Sequence, residues 1–307
     1  MVTGSNIVCL GIDWSQPDQP ALRLAQLGSA GPSWLRPLTG TLGFRIDHSE
    51  RYCSGWFDLT GPIPRHITCE TWEVVTRAKQ CRRCQFREGF IGAHQAHNRP
   101  NALPANVREY LRQPHHLYVA GYADGSTKIG TAAQARQTVR LAEQGAVAAC
   151  FIAEAPDGLL IRVAEAFLST SLGLKQAVPT RRKLEALTSP VDPSAIKYRL
   201  EPAAITALQA ARDLDSVTCL PVPLWWALPA PATAAFAAAP VALYAYSLEE
   251  GEHGLHIQGI TGTIAVFTTH SAMDAPVFAA DLSALQGHQV ELGSFESPLQ
   301  PVQDSLF

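Results

Sequence analysis

The sequence predicts an α+β protein with a small β-β-α-β-α core, a cysteine-rich segment before it and mainly-β segments at both ends. Residues 116–170 alternate short apolar runs with amphipathic stretches, and residues 38–47 and 241–292 show the alternation of half-buried strands. Four cysteines cluster between residues 53 and 84. We therefore expect a β unit over 1–50, a cysteine-rich segment over 51–112, the core domain over 113–200 and an acidic, Ala/Pro-rich, mainly-β unit over 201–307.

The core is predicted from its turn and stop signals. Asp124 and Gly125 tolerate the backbone angles of a hairpin turn, and Gly145 is a good helix C-terminus. An order of two strands, helix, strand and helix is that of a small sheet covered by helices. The expected elements are strands over 116–122, 127–131 and 147–155 and helices over 132–144 and 159–170.

The flanking segments carry weaker signals. We expect a short helix over 105–112 and an Ala-rich helix over 203–212. Residues 217–240 are apolar but contain five prolines, so we predict a broken segment there.

Bulk composition excludes a membrane protein. The chain has 307 residues, of which 47% are hydrophobic and 17% charged, enough for a real core. No unbroken apolar run of about eighteen residues is present, so we expect no membrane span. Residues 1–16 have no basic region followed by an apolar core, so we expect no secretory signal and a cytoplasmic protein.

Charge is distributed unevenly along the chain. Residues 1–200 contain 23 Lys/Arg against 16 Asp/Glu, whereas residues 201–307 contain Arg212 alone against 11 acidic residues. A polyanion such as nucleic acid would therefore meet the first two thirds of the chain. The alternative is that the acidic third only keeps an Ala/Pro-rich protein soluble.

The cysteine cluster predicts a structural zinc site. Cys81 and Cys84 form a CxxC pair, and Cys53 and Cys69 would complete a tetrahedral set of four thiolates. The main alternative replaces Cys53 or Cys69 with His94 or His97. A redox CxxC is disfavoured because no thioredoxin-like strand precedes it. The remaining cysteines lie in apolar surroundings and are expected in cores; they are Cys9, Cys150 and Cys219.

Basic residues surround this cluster. Residues 65–112 contain nine Lys/Arg and four acidic residues, together with Trp72 and Phe86. We expect Arg82, Arg83 and Arg87 to contact a nucleic-acid backbone. The alternative is that Arg82 and Arg83 only neutralise the charge of a zinc tetrathiolate. An HNH-type nuclease built on His94-x-x-His97-Asn98 is disfavoured because its remaining parts are missing.

The core also carries a motif. Leu117-Tyr118-Val119 is followed by Lys128-Ile129-Gly130-Thr131, then by Arg136 and Arg140, and then by Glu165. This order and spacing resemble the GIY-YIG nuclease superfamily, in the branch whose second motif contains Lys-Ile-Gly. The resemblance implies a GIY-YIG-like fold for the core and hydrolysis of phosphodiester bonds.

The resemblance also implies a role for each residue. Tyr118 would help to activate water, Arg140 and secondarily Arg136 would contact phosphate, and Glu165 would hold a catalytic Mg²⁺ or Mn²⁺. Gly130 would allow close backbone approach where strand becomes helix. Lys128 replaces the second-motif tyrosine; it can position phosphate but is a poor base unless its pKa is strongly depressed.

Four motifs span much of the chain: Arg51-Tyr52-Cys53-x-Gly55, Cys81-x-x-Cys84, the two strand motifs above taken together, and Arg140-x-x-x-Gln144-Gly145-Ala146. With these motifs the chain resembles an uncharacterised bacterial family that joins a cysteine-rich zinc segment to this core.

Three functions stay open. The first is a metal-dependent nuclease or nuclease-like phosphodiesterase. The second is a non-catalytic nucleic-acid-binding protein, and the third is a recruited biosynthetic or partner-binding protein.

Overall fold

The computed structural model describes residues 6–29, 31–90, 103–272 and 274–298, and within them the chain forms both strands and helices. The predicted mixed α+β class is confirmed. The strands are β1 (Ile7–Asp13), β2 (Ala21–Gln26), β3 (Trp34–Pro37), β4 (Gly40–Ile46), β5 (Trp56–Asp58), β6 (Arg65–Ile67), β7 (His115–Gly121), β8 (Thr127–Ala133), β9 (Ala148–Ala155), β10 (Thr218–Trp225), β11 (Ala242–Leu243), β12 (Gly251–Thr261), β13 (Ile264–Thr268), β14 (Val277–Asp281) and β15 (Gln289–Leu292). The α-helices are α1 (Arg82–Glu88), α2 (Ala105–Leu111), α3 (Gln137–Glu143), α4 (Gly158–Leu172), α5 (Thr180–Ala186), α6 (Pro193–Ala211) and α7 (Ala230–Ala237).

The two ends of the chain share one nine-stranded sheet. Its order is β11-β14-β13-β12-β4-β15-β1-β2-β3, and every neighbouring pair is antiparallel except β11 with β14. Strand β4 pairs along its whole length with β12, from Gly40 opposite Ile257 to Ile46 opposite Gly251. The β units expected separately at the two ends are therefore hydrogen-bonded to each other.

A second, four-stranded sheet is antiparallel and has the order β10-β9-β7-β8. Helices α4 and α6 pack on this sheet and bury Ile161, Leu168, Ile196 and Leu200. The five elements expected over residues 116–170 are present in the expected order. No helix in the described ranges is both long and apolar enough to cross a membrane.

One predicted helix boundary was wrong. Helix α6 begins ten residues before the expected Ala203, because the Asp192 side chain caps it by accepting from the Ser194 amide at 2.8 Å and Pro193 suits a first helical turn. The proline-rich stretch over 217–240, expected to be broken, is divided between strand β10 and helix α7. The prolines of β10 are tolerated because β10 is an edge strand with a register shift between Cys219 and Leu224.

The cysteine-rich segment follows β4 of the nine-stranded sheet and precedes β7 of the four-stranded sheet. Strands β5 and β6 pair as a short hairpin, and α1 follows and packs on β5. The four clustered cysteines form the buried centre of this segment, with Trp56 and Val75 packed against them. Leu59 and the α2 residues Val107 and Leu111 belong to a separate apolar cluster in the same segment.

Candidate active site and metal centre

The six residues to which the motif gives a role all line one cavity of about 320 Å³ beside the four-stranded sheet. Four elements supply them: β7, β8, α4, and a 3-10 helix (Gln134–Arg136) that continues into α3. The six predicted residues are Tyr118, Lys128, Gly130, Arg136, Arg140 and Glu165.

Tyr118 and Gly130 are directly opposed across β7 and β8. Tyr118 is only 1% exposed, and its ring lies over Gly130 so closely that a Cβ there would be 2.4 Å from the phenol oxygen. The expected place of Gly130 was wrong, because β8 continues to Ala133 and the glycine lies in mid-strand. Its missing side chain makes room for the tyrosine ring.

Gln144 connects two polar side chains of the cavity with Tyr122. Its Nε2 donates to the Tyr118 hydroxyl at 2.8 Å, while its Oε1 accepts from the Lys128 ammonium and, at 3.2 Å, from the Tyr122 hydroxyl. Burial raises the pKa of Tyr118, although Arg140 opposes the shift, so the phenol stays protonated at neutral pH. Gln144 belongs to one of the family motifs, but no role was predicted for it.

Cations dominate the cavity wall. Burial, reinforced by Arg140, lowers the pKa of Lys128 to about 8. Arg136 and Arg140 both approach Glu143, Arg136 in a close ion pair and Arg140 at 3.8 Å. Arg140 keeps 39% of its side chain exposed. One carboxylate shared by two guanidiniums leaves positive charge available for an anion.

Arg162 is a fourth cation on this wall. No role was predicted for it. It is 8% exposed, and its guanidinium donates to the Gly158 carbonyl at 2.7 Å, one turn earlier on α4. Its charge acts on Glu165 within the same cavity. The i,i+3 spacing on α4 was the available signal.

Glu165 is the one carboxylate among the described residues that line this cavity. Burial raises the pKa of Glu165, and the attraction of Arg162, Lys128 and Arg140 only partly offsets that effect. The Thr131 hydroxyl donates to it at 3.5 Å. A single carboxylate suits Mg²⁺ or Mn²⁺, which keep most of their waters and take further oxygens from phosphate. Because the surrounding cations repel a free metal ion, they favour one that binds together with an anionic ligand.

The four predicted zinc ligands converge. The sulfurs of Cys53, Cys69, Cys81 and Cys84 all lie within 4.8 Å of one another, and all four residues are buried. The Cys69 and Cys81 sulfurs are 3.9 Å apart. A Zn–S bond of about 2.3 Å places the sulfurs of a tetrahedral site about 3.8 Å apart. The cluster can therefore hold a metal ion such as zinc.

Local structure positions these ligands. Cys81 is the N-cap of α1 and Cys84 lies in its first turn, so both sulfurs face the same point. The Cys81 amide donates to the Cys53 sulfur at 3.1 Å, which favours a thiolate there. Burial raises the pKa of the Cys53 thiol to about 12 without a metal. A divalent cation would compensate the charge that burial disfavours. His94 and His97, the alternative ligands, lie outside the described residues.

The arginines expected at a nucleic-acid backbone lie on α1. Arg87 binds Glu70 through two hydrogen bonds of 2.7 and 3.2 Å and lies 5.9 Å from the Trp56 ring. Arg83 is 3.8 Å from the same carboxylate, and Arg82 is exposed. Glu70 thus offsets part of the charge of this surface.

A known protein family matches most of this chain. The family described as "Protein of unknown function (DUF2797)" matches residues 45–275, most of the chain. The chain belongs to this family. The DUF2797 range includes the four cysteines and the whole cavity, whereas β1, β2, β3, β14 and β15 lie outside it. Searches of curated proteins and of solved structures each gave no match.

Proposed function

We propose that the protein is a metal-dependent, nuclease-like phosphodiesterase that acts on nucleic acid through a GIY-YIG-like core. The convergence of the six motif residues in one cation-rich cavity is the observation that carries this proposal. They come from positions spread over residues 118–165, so a shared cavity is not a consequence of sequence proximity.

The cavity chemistry suggests a division of labour. Arg140 and Arg136 bind the phosphate oxygens, where preorganised positive charge stabilises the transition state most. Tyr118 stays protonated and donates its hydroxyl proton to an oxygen in the cavity. Lys128, with a pKa of about 8, can pass a proton to the leaving oxygen near neutral pH.

Glu165 is the residue that would hold Mg²⁺ or Mn²⁺. A bound ion would polarise the phosphate and lower the pKa of a coordinated water. Its second coordination partner would be the substrate phosphate, held in place by the arginines. The four-cysteine site would hold zinc as a structural centre, and Arg82, Arg83 and Arg87 beside it would meet the nucleic-acid backbone.

A non-catalytic nucleic-acid-binding protein is the second candidate. Four cations line the cavity against one carboxylate, an imbalance that suits phosphate binding without a metal. Lys128 also stands where the fuller motif has a tyrosine, which removes one hydroxyl from the site.

The test is cleavage of end-labelled single-stranded and duplex DNA and RNA by the purified protein with Mg²⁺ or Mn²⁺. Glu165→Gln and Tyr118→Phe should each lower the rate at least tenfold. Glu154→Gln, on an exposed position of β9 outside the cavity, is the matched control and should leave the rate unchanged. Salt-sensitive binding without cleavage would favour the second candidate. No binding at physiological salt would favour a recruited biosynthetic or partner-binding role.

A further inference from the structure

A second cavity of about 340 Å³ opens beside the first. Phe90, Tyr110, Arg136 and Arg140 line both, so the two spaces meet at a pair of aromatic rings and a pair of guanidiniums. Each volume lies at the lower end of the range for small-molecule sites, which begins at about 300 Å³. Together they form one two-chambered cleft.

Three parts of the chain build the second chamber. Gly11 and Trp14 come from the end of β1, where the register shifts between Cys9 and Gly11. Phe57 comes from the cysteine-rich segment, and Ser283 comes from the 3-10 helix (Leu282–Leu285) before β15. The chamber therefore exists only because the two ends of the chain share a sheet that faces the cysteine-rich segment.

The two chambers differ in chemistry. The first is dominated by cations, whereas the exposed lining of the second is mainly apolar and includes the rings of Trp14 and Phe57. Charged and polar groups interrupt this lining; besides the two shared arginines they include Lys79, Glu88, Glu143 and the Thr263 hydroxyl. The Thr263 hydroxyl is a buried group for which the described residues supply no hydrogen-bond partner.

A nucleotide combines an anionic phosphate with a flat, aromatic base that has polar edges, so its two parts match the two chambers. A phosphate on Arg136 and Arg140 would place its attached sugar and base next to the apolar chamber. Aromatic side chains stack on any nucleobase, and a few polar groups can read its edge. A base enters such a chamber only after it leaves a helical stack, since a chamber of this size does not admit a duplex.

We infer that the cleft binds a single nucleotide unit, with its phosphate in the cationic chamber and its base in the apolar chamber. This inference rests on the proposed phosphate-binding role of the cationic chamber. It adds a substrate class: a free nucleotide, or an unstacked or terminal nucleotide of a single strand.

The test is isothermal titration of the full-length, metal-loaded protein with AMP, inorganic phosphate, adenosine and phenyl phosphate. AMP should bind at least tenfold more tightly than each of the other three. Phe57→Ala should weaken AMP binding at least fivefold and leave phosphate binding unchanged. Phe86→Ala is the matched control, because Phe86 is 86% exposed on α1 and lines neither cavity.

Two results would overturn the inference. One is phenyl phosphate or phosphate binding as tightly as AMP, and the other is equal loss of AMP and phosphate binding in Phe57→Ala. Displacement of bound AMP by a 5′-phosphorylated single strand, but not by a blunt duplex, would identify the natural ligand as the terminal nucleotide of a strand. Competition by free nucleotides alone would identify a mononucleotide. The titrations need no turnover, so a catalytically inactive protein that binds AMP tightly would contradict the nuclease proposal alone.

Discussion

Replacing Gly130 with alanine tests the geometry of the cavity floor. The new Cβ would lie 2.4 Å from the Tyr118 oxygen, 2.6 Å from Cζ and 3.0 Å from Cε2. Carbon atoms are in comfortable contact only at about 3.5–4.0 Å, so the buried ring would have to shift. Overpacking of this kind costs about 1–3 kcal/mol, offset by about 0.4–1 kcal/mol from the reduced entropy of the unfolded chain. We expect the free energy of unfolding to fall by about 1–2 kcal/mol.

Urea denaturation followed by fluorescence would measure this change, with Gly61→Ala as the control. Gly61 has no atom closer than 4.0 Å to an added Cβ, so that variant should be neutral or slightly stabilised. In a Tyr118→Ala background the Gly130→Ala loss should disappear, because the clashing ring is gone. Wild-type stability in Gly130→Ala, or an equal loss in both backgrounds, would refute this geometry.

Three further outcomes follow from the charged and metal-binding groups. Purified protein should contain one zinc per chain, which Cys84→Ser should lose and Cys219→Ser should retain; metal analysis would check this, and zinc-free wild type would contradict it. Phosphate binding should weaken as pH rises through about 8, because Lys128 loses its positive charge there; in Lys128→Arg this step should vanish, and a titration series that keeps it would assign the step to another group. Arg140→Gln should weaken single-strand binding and lower the salt slope by about 1, whereas Arg181→Gln, at a side chain 87% exposed, should not; equal slopes would exclude a phosphate contact by Arg140.

The sequence predicted the parts of this molecule that depend on local patterns. Hydrophobic alternation and turn residues located β7, β8, α3, β9 and α4. The four cysteines were grouped correctly because cysteines this dense within one short segment have few other uses. The six motif residues that were predicted to share a site do line one cavity, although their individual roles stay predictions.

Features that depend on contacts between distant parts of the chain could not be predicted from local sequence patterns. The pairing of β4 with β12 joins residues about two hundred positions apart, and no local signal specifies which distant strand is a partner. Gln144 was passed over because its importance comes from the three side chains that meet it in space. The helix predicted to begin at Ala203 extends back through Pro202, because the Asp192 cap and burial of one face of α6 outweigh the lost hydrogen bond.

We propose that the cavity hydrolyses phosphodiesters with a metal held by Glu165. The initial rate of single-stranded oligonucleotide cleavage as a function of Mg²⁺ concentration, in wild type and Glu165→Gln, tests this claim. We predict saturable, Mg²⁺-dependent cleavage in wild type and a rate at least tenfold lower in Glu165→Gln at every Mg²⁺ concentration. Cleavage by Glu165→Gln at the wild-type rate with the same Mg²⁺ dependence would contradict the claim.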